Sequence, residues 1–210
     1  MGDLLYETAS KFEKLTYTSY KILLGRKGKS FELLLRFPKD SFFHLVGLQY
    51  LADITFSSKI KERTYNEILE QKITIDDIKK SVFFEEFFIE ERLSYLKHLE
   101  EMLDNCKLIF LINPREYREY TNIRADYLCE YVLQDNPEDI LYFFLTKDLW
   151  SKTDNVCVGC SFFKKHDRNY RKGTAQATLL LAEKIVNMDT SEEVLIEIYR
   201  NPAYKENFIA

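Results

Sequence analysis

The sequence predicts an α+β domain: N-terminal helices and an early β-hairpin, a long central helix, then a twisted antiparallel sheet. Three observations carry this. From Phe83 to Asp104 the residues Phe84, Phe87, Phe88, Leu93, Leu96, Leu99 and Leu103 form a broad stripe at helical spacing. After Asn105 the period changes, and Ile123, Ala125, Tyr127, Cys129 and Tyr131 alternate with Arg124, Asp126, Leu128 and Glu130. Helical segments come first and consecutive strands with short connections follow, which is the order of an α+β fold with antiparallel pairing.

Taken in order, Leu4, Leu5, Ala9, Phe12 and Leu15 predict a helix from Asp3 to about Lys14. Thr16 to Leu24 is rich in Tyr, Thr and Ile, as strands are. Gly25 to Lys29 supplies a turn with three cations, and Phe31 to Phe37 resumes apolar alternation, which together predict a hairpin. Pro38 stops the second strand. Asp40 or Ser41 can cap a helix running to about Ala52. Further helices are expected at Lys59 to Gln71 and, behind Thr74, at Ile75 to Lys80. Strands follow at Lys107 to Ile112, about 123 to 131, Ile140 to Leu145, Val156 to Phe163 and Ala175 to Val186. Thr190-Ser191-Glu192-Glu193 resembles a capping box ahead of a terminal helix through Val194, Leu195 and Ile198. The chain is thus expected to form one domain over 1–210, largely helical at about 39–104, with its main sheet at about 107–186.

Composition agrees. The 210 residues include 16 Phe and 14 Tyr, enough bulky material for a core without staples, and only 6 Gly and 4 Pro, which argues against long flexible linkers. The N-terminus lacks the apolar run of a secretory signal, no segment approaches a membrane-spanning length, and Tyr6 breaks a myristoylation motif, so a cytoplasmic protein without membrane contact is expected. Cys157-Val158-Gly159-Cys160 is a C-x-x-C inside strand-like sequence. A regular strand sends the two thiols to opposite faces, although a bulge at Gly159 would bring them together. No second half-site completes a zinc centre, so buried inert thiols and no metal or other cofactor are expected.

The segment SFFKKHDRNYRKGTAQ, Ser161 to Gln176, is the most distinctive. It places Lys164, Lys165, Arg168, Arg171 and Lys172 beside His166, Tyr170, Thr174 and Gln176, in a chain of formal net charge -4. A dense basic, imidazole-bearing turn on an acidic body suits an anionic partner such as phosphate. It also suits a solvated hairpin tip that keeps a sheet edge charged. The carboxylates of the 83–104 segment read as a solvated face, with a metal or acid/base cluster as the alternative. Of the three histidines, His98 reads as a surface or packing residue. His44, in FFHLVGL, reads from its apolar setting as a satisfied core residue before a catalyst.

Two blocks carry a resemblance. RFPKDSFFHLVGLQYLADI, Arg36 to Ile54, and SFFKKHDRNYRKGTAQATLLLAEKI, Ser161 to Ile185, resemble the phage-associated PBECR-type nucleases, group four, within the barnase–EndoU–colicin–RelE superfamily. The blocks stand in the family's order. The resemblance implies a BECR-like α+β scaffold and metal-independent cleavage of RNA by attack of the ribose 2′-OH, in a toxin-like or phage-associated setting. It implies His44 as acid or base, with His166 as the alternative imidazole. Arg168, Tyr170 and Thr174 would complete the catalytic set. Lys164, Lys165, Arg171, Lys172 and Gln176 would bind substrate. RNA is the implied partner, with a cognate inhibitor protein as a further one. A non-catalytic RNA-binding or protein-interaction domain, and a metal-dependent nuclease using the acidic helix, are the competing readings.

Overall fold

Asp3 ties the start of the chain to its middle. One carboxylate oxygen accepts the N–H of Tyr6 at 2.8 Å and caps α1 (Leu4–Thr16), and the other accepts the N–H of Ile75 at 2.8 Å. This computed structural model describes residues 2–57, 59–119, 121–187 and 193–205. Leu5, Ala9, Phe12 and Leu15 line the buried stripe of α1. The hairpin β1 (Thr18–Arg26) and β2 (Lys29–Arg36) turns through Lys27 and Gly28, both at positive φ (49° and 74°), as a two-residue hairpin loop requires.

The helical layer is more broken than expected. α2 (Ser41–Leu45) ends after two turns at most, because Gly47 takes φ 85° and starts a 3₁₀ turn (Leu48–Tyr50). α3 (Lys61–Leu69) and α4 (Ile75–Ile78) follow, the latter behind a Thr74–Asp77 capping box. The long central helix is not there. Residues 82–88 form turns, Phe88 sits in the left-handed region at φ 54°, and only then do α5 (Ile89–Leu96) and α6 (Leu99–Asn105) run, separated at Lys97 and His98. The four aromatic residues Phe83, Phe84, Phe87 and Phe88 take separate destinations. Phe84 is buried in the core, Phe87 stacks on Tyr50 at 4.5 Å, and Phe88 stacks on His166 at 4.7 Å. One continuous helix face does not reach all three.

The sheet also differs from the expected open antiparallel one. After β3 (Leu108–Ile112) and the short α7 (Pro114–Tyr117) come β4 (Tyr127–Val132), β5 (Ile140–Lys147), β6 (Val156–Lys164), β7 (Thr174–Asn187) and β8 (Glu193–Arg200). Seven strands close into a mixed barrel in the order β1-β2-β6-β5-β4-β3-β7 and back to β1. The β2–β6 contact is parallel, over Leu34–Arg36 and Val156–Val158. Closure uses the hairpin as two staves, so it removes most of the free edge that an open sheet leaves. β8 is an extra strand on β7. It replaces the expected terminal helix: Glu193 to Arg200 is extended, while Thr190, Ser191 and Glu192 lie outside the described residues. The strand expected from Ile123 begins only at Tyr127, with Ile123 and Ala125 packing beside it. Among the described residues, no helix is long and apolar enough to cross a membrane.

Strand alternation divides the apolar side chains between two cores. Tyr127, Cys129, Leu141, Phe143, Cys157 and Phe162 share the main core with the helices, and Phe110, Leu128, Tyr142, Phe144 and Phe163 form a second cluster on the other face. β6 bulges opposite Phe144/Leu145, yet Cys157 stays in the main core and Cys160 packs against the second cluster. All four thiols are free, and burial pushes Cys157 up to about 11 and Cys160 up to about 12. Gly159 is required where β6 passes under α2: a Cβ there would lie 2.6 Å from Cε2 of the fully buried Phe143 and 3.1 Å from Leu45. Gly159→Ala is therefore expected to destabilise the fold by about 1–3 kcal/mol. Urea melts would read this as a lower midpoint at unchanged slope.

Candidate active site

His44 is carried by α2, one residue ahead of the core residue Leu45 and three ahead of Gly47. The positive φ of Gly47 and its missing Cβ let the end of α2 lie against α5, since a Cβ there would meet Ile89 at 3.0 Å and Arg92 at 3.2 Å. Opposite, the end of β6 and the loop after it carry His166, Arg168 and Tyr170. These elements enclose a cleft of about 740 Å³ lined by His44, Tyr50, Glu91, Arg92, Arg124, His166, Arg168 and Tyr170, among others. Residues 44 and 166, far apart in sequence, thus face one cavity.

The imidazole of His44 is half-buried. Its Nε2 lies 2.5 Å from Nζ of Lys61, at the start of α3. Burial, and then the Lys61 charge, lower its pKa from the ordinary 6.5, with Asp40 pulling the other way. Both causes favour the neutral imidazole, whose Nε2 lone pair can accept from the ammonium. His166 is exposed. Its Nε2 meets Oε1 of Glu91 at 2.9 Å, and its ring lies on Phe88 at 4.7 Å. Phe88 holds this ring from a left-handed backbone conformation that costs a non-glycine residue on the order of 1–3 kcal/mol.

Three guanidinium groups line the cleft. Arg92 donates from Nε to the Phe87 carbonyl and from Nη1 to the Phe162 carbonyl, both at 3.1 Å, and sits over the rings of Tyr50 (5.7 Å) and Phe163 (5.2 Å). Among the described residues no carboxylate pairs with it. Burial lowers its pKa from the usual arginine value, which marks a charge held where water is scarce. Such a cation is stabilised by an anion that enters the cleft. Arg168 lies over the Tyr170 ring at 5.8 Å. Tyr170 in turn packs edge-on against Tyr142, Phe144 and Phe163 and so anchors the basic loop to the second core. Arg124 reaches the cleft from the segment before β4.

The other basic-turn residues do not line the cleft. Lys164 pairs with Asp139 at 2.5 Å and lies over Tyr95. Arg171 engages the buried Glu130 through both arms of its fork, Nε to Oε2 at 2.7 Å and Nη2 to Oε1, and covers Phe110. Lys165 donates its backbone N–H to Ile140 at 2.7 Å, and Thr174 donates its hydroxyl to the Arg171 carbonyl at 2.7 Å. Lys172 and Gln176 are exposed and do not line the cleft. Among the described residues, no group of three or more His, Cys, Asp or Glu is arranged to hold a metal ion.

Sequence reasoning missed Arg92, Arg124, Glu91 and Lys61. Glu91 and Arg92 hide in what reads as the solvated face of a long helix, and only the break at Phe88 turns them to the cleft. Comparison with known proteins finds no match to a curated protein or to a solved structure. A family model does match, over residues 4–200, nearly the whole chain. The chain belongs to the PBECR4 family, the phage-Barnase-EndoU-ColicinE5/D-RelE like nuclease4 group.

Proposed function

We propose that the protein is a metal-independent endoribonuclease that cleaves RNA by attack of a ribose 2′-OH on the adjacent phosphorus. Membership of a nuclease family supports the reaction class. The observation that carries the finer reading is the meeting of two imidazoles and three arginines in one cleft. Two-step proton transfer needs a base for the 2′-OH and an acid for the leaving 5′-oxygen, and imidazole serves both near neutral pH.

His44 is the base. Its depressed pKa keeps it neutral, and the 2′-OH replaces Lys61 as the donor to Nε2. The 2′-oxygen bonds to phosphorus, the P–O5′ bond breaks, His44 keeps the hydroxyl proton, and His166 gives a proton to O5′. Arg92 and Arg168 face the growing phosphorane charge, a placement worth most where water is excluded. Glu91 orients the His166 ring. Lys61, displaced from Nε2, turns to the phosphate.

The test is an RNA oligonucleotide incubated in excess EDTA. The expected products end in 2′,3′-cyclic phosphate and 5′-OH, and a strand carrying one 2′-deoxyribose resists cleavage at that linkage. Loss of all activity on chelation, or cleavage of the deoxy linkage, would refute the mechanism. Salt-sensitive binding without cleavage would assign the protein to the RNA-binding class instead.

A further inference from the structure

A second concavity adjoins the cleft and shares only Lys61 with the chemistry above. It encloses about 650 Å³ between the end of α1, the Phe37–Asp40 bend and the start of α3. Lys61 lines it, and the same ammonium touches His44 in the cleft, so one side chain joins the two cavities. Lys39 and Lys59 add two more cations, against Asp40 and Glu62 on the same wall. Lys39 is already paired with Glu13 at 3.2 Å, whereas Lys59 is exposed and, among the described residues, has no acidic partner. Tyr17 is 50 % exposed at this groove, whose wall also carries Phe37, Pro38 and Ile60.

From these features we infer that this groove is a binding subsite for single-stranded RNA: it holds the nucleotides that continue from the scissile linkage, with Lys59 on a phosphate and Tyr17 stacked on a base. The inference rests on the ribonuclease reading of the cleft. The volume is in the range, roughly 300–1,000 Å³, that takes a molecule of nucleotide size. Cations beside an exposed aromatic ring are how sequence-tolerant single-strand sites are built: phosphate contacts fix the backbone and stacking accepts any base. On a chain of net charge -4, such a groove also keeps the strand on one path.

The experiment compares wild type with Tyr17→Ala/Lys59→Ala on oligoribonucleotides of one sequence, from two to eight nucleotides. Wild-type kcat/KM is expected to rise about tenfold or more with length, through KM, since stacking one base alone contributes about 1–3 kcal/mol. The variant should cleave the dinucleotide as wild type does, lose most of the length advantage, and show a salt slope lower by about 0.7. Identical length dependence in both proteins would overturn the subsite. Absence of cleavage at every length would instead refute the ribonuclease reading. Binding of 2′-O-methyl tetramers and octamers, followed by fluorescence anisotropy, then decides the subsite by itself: a weaker octamer complex in the variant supports it, and equal affinity removes it.

Discussion

His44→Ala should lower kcat/KM on RNA by about 10²–10⁴, the contribution of a positioned general base. The fold should hold, because His44 is half-buried and its neighbours Phe42 and Leu45 carry the packing of α2. The sign of the pH effect follows from the cause of the shift. Burial and Lys61 both disfavour the imidazolium, so the base stays available below the ordinary pKa of 6.5. The acid limb of the kcat/KM profile is therefore expected below 6.5. Lys61→Met removes the second cause and leaves the first, so it should move that limb toward higher pH. A limb that stays in place would mean that Lys61 does not act on the base. A large loss of stability in His44→Ala with normal activity per folded molecule would assign the imidazole to the core.

The second large effect is on stability. Arg171→Ala should cost about 1–3 kcal/mol: it strands the Glu130 carboxylate, which is 3 % exposed on β4, while the Arg171 side chain is itself 47 % exposed and partly screened by water. For a chain of this length that is a drop in Tm of roughly 2–12 °C. Arg171→Lys keeps the charge but loses the fork and should recover only part of the loss. Glu130→Leu with Arg171→Met removes both partners and should recover most of it, since an apolar pair of similar volume needs no compensation. Calorimetry of the three variants checks the order. RNA binding by folded Arg171→Ala should keep its salt slope if the guanidinium serves Glu130 alone, whereas a slope lower by about 0.7–0.9 would show a phosphate contact as well.

Local chemistry in the sequence reached the elements whose cause is local. The apolar spacing of Leu5, Ala9, Phe12 and Leu15 gives α1, and Lys27-Gly28 between two apolar runs gives the hairpin. The Thr74–Asp77 box starts α4, and the apolar runs Ile140 to Leu145 and Val156 to Phe163 give β5 and β6. Barrel closure has no local signal. It depends on β1 finding β7 and β2 finding β6, more than a hundred residues away. The long helix was misread because its stripe of Phe and Leu is compatible with helical spacing, while the decision to break lies in where Phe87 and Phe88 stack. At the other end, Val194 to Tyr199 is rich in β-branched and apolar residues and pairs with β7, and that pairing outweighs the helix-start residues before it. His44 is legible as an imidazole on an apolar face. The role proposed for it was legible only through the resemblance of its block, and Lys61, Glu91 and Arg92 come from elements that sequence alone does not bring together.

The three histidines allow a direct test of convergence. His44 and His166 line the cleft, and His98 lies apart from it, beside Glu101 at 3.1 Å. Titration of a 2′-O-methyl RNA into the protein, followed through the imidazole C–H resonances, should move His44 and His166 together with one dissociation constant and leave His98 unchanged. Movement of only one of the two cleft imidazoles, or of His98 in their place, would contradict the placement of both at a single ribose–phosphate linkage.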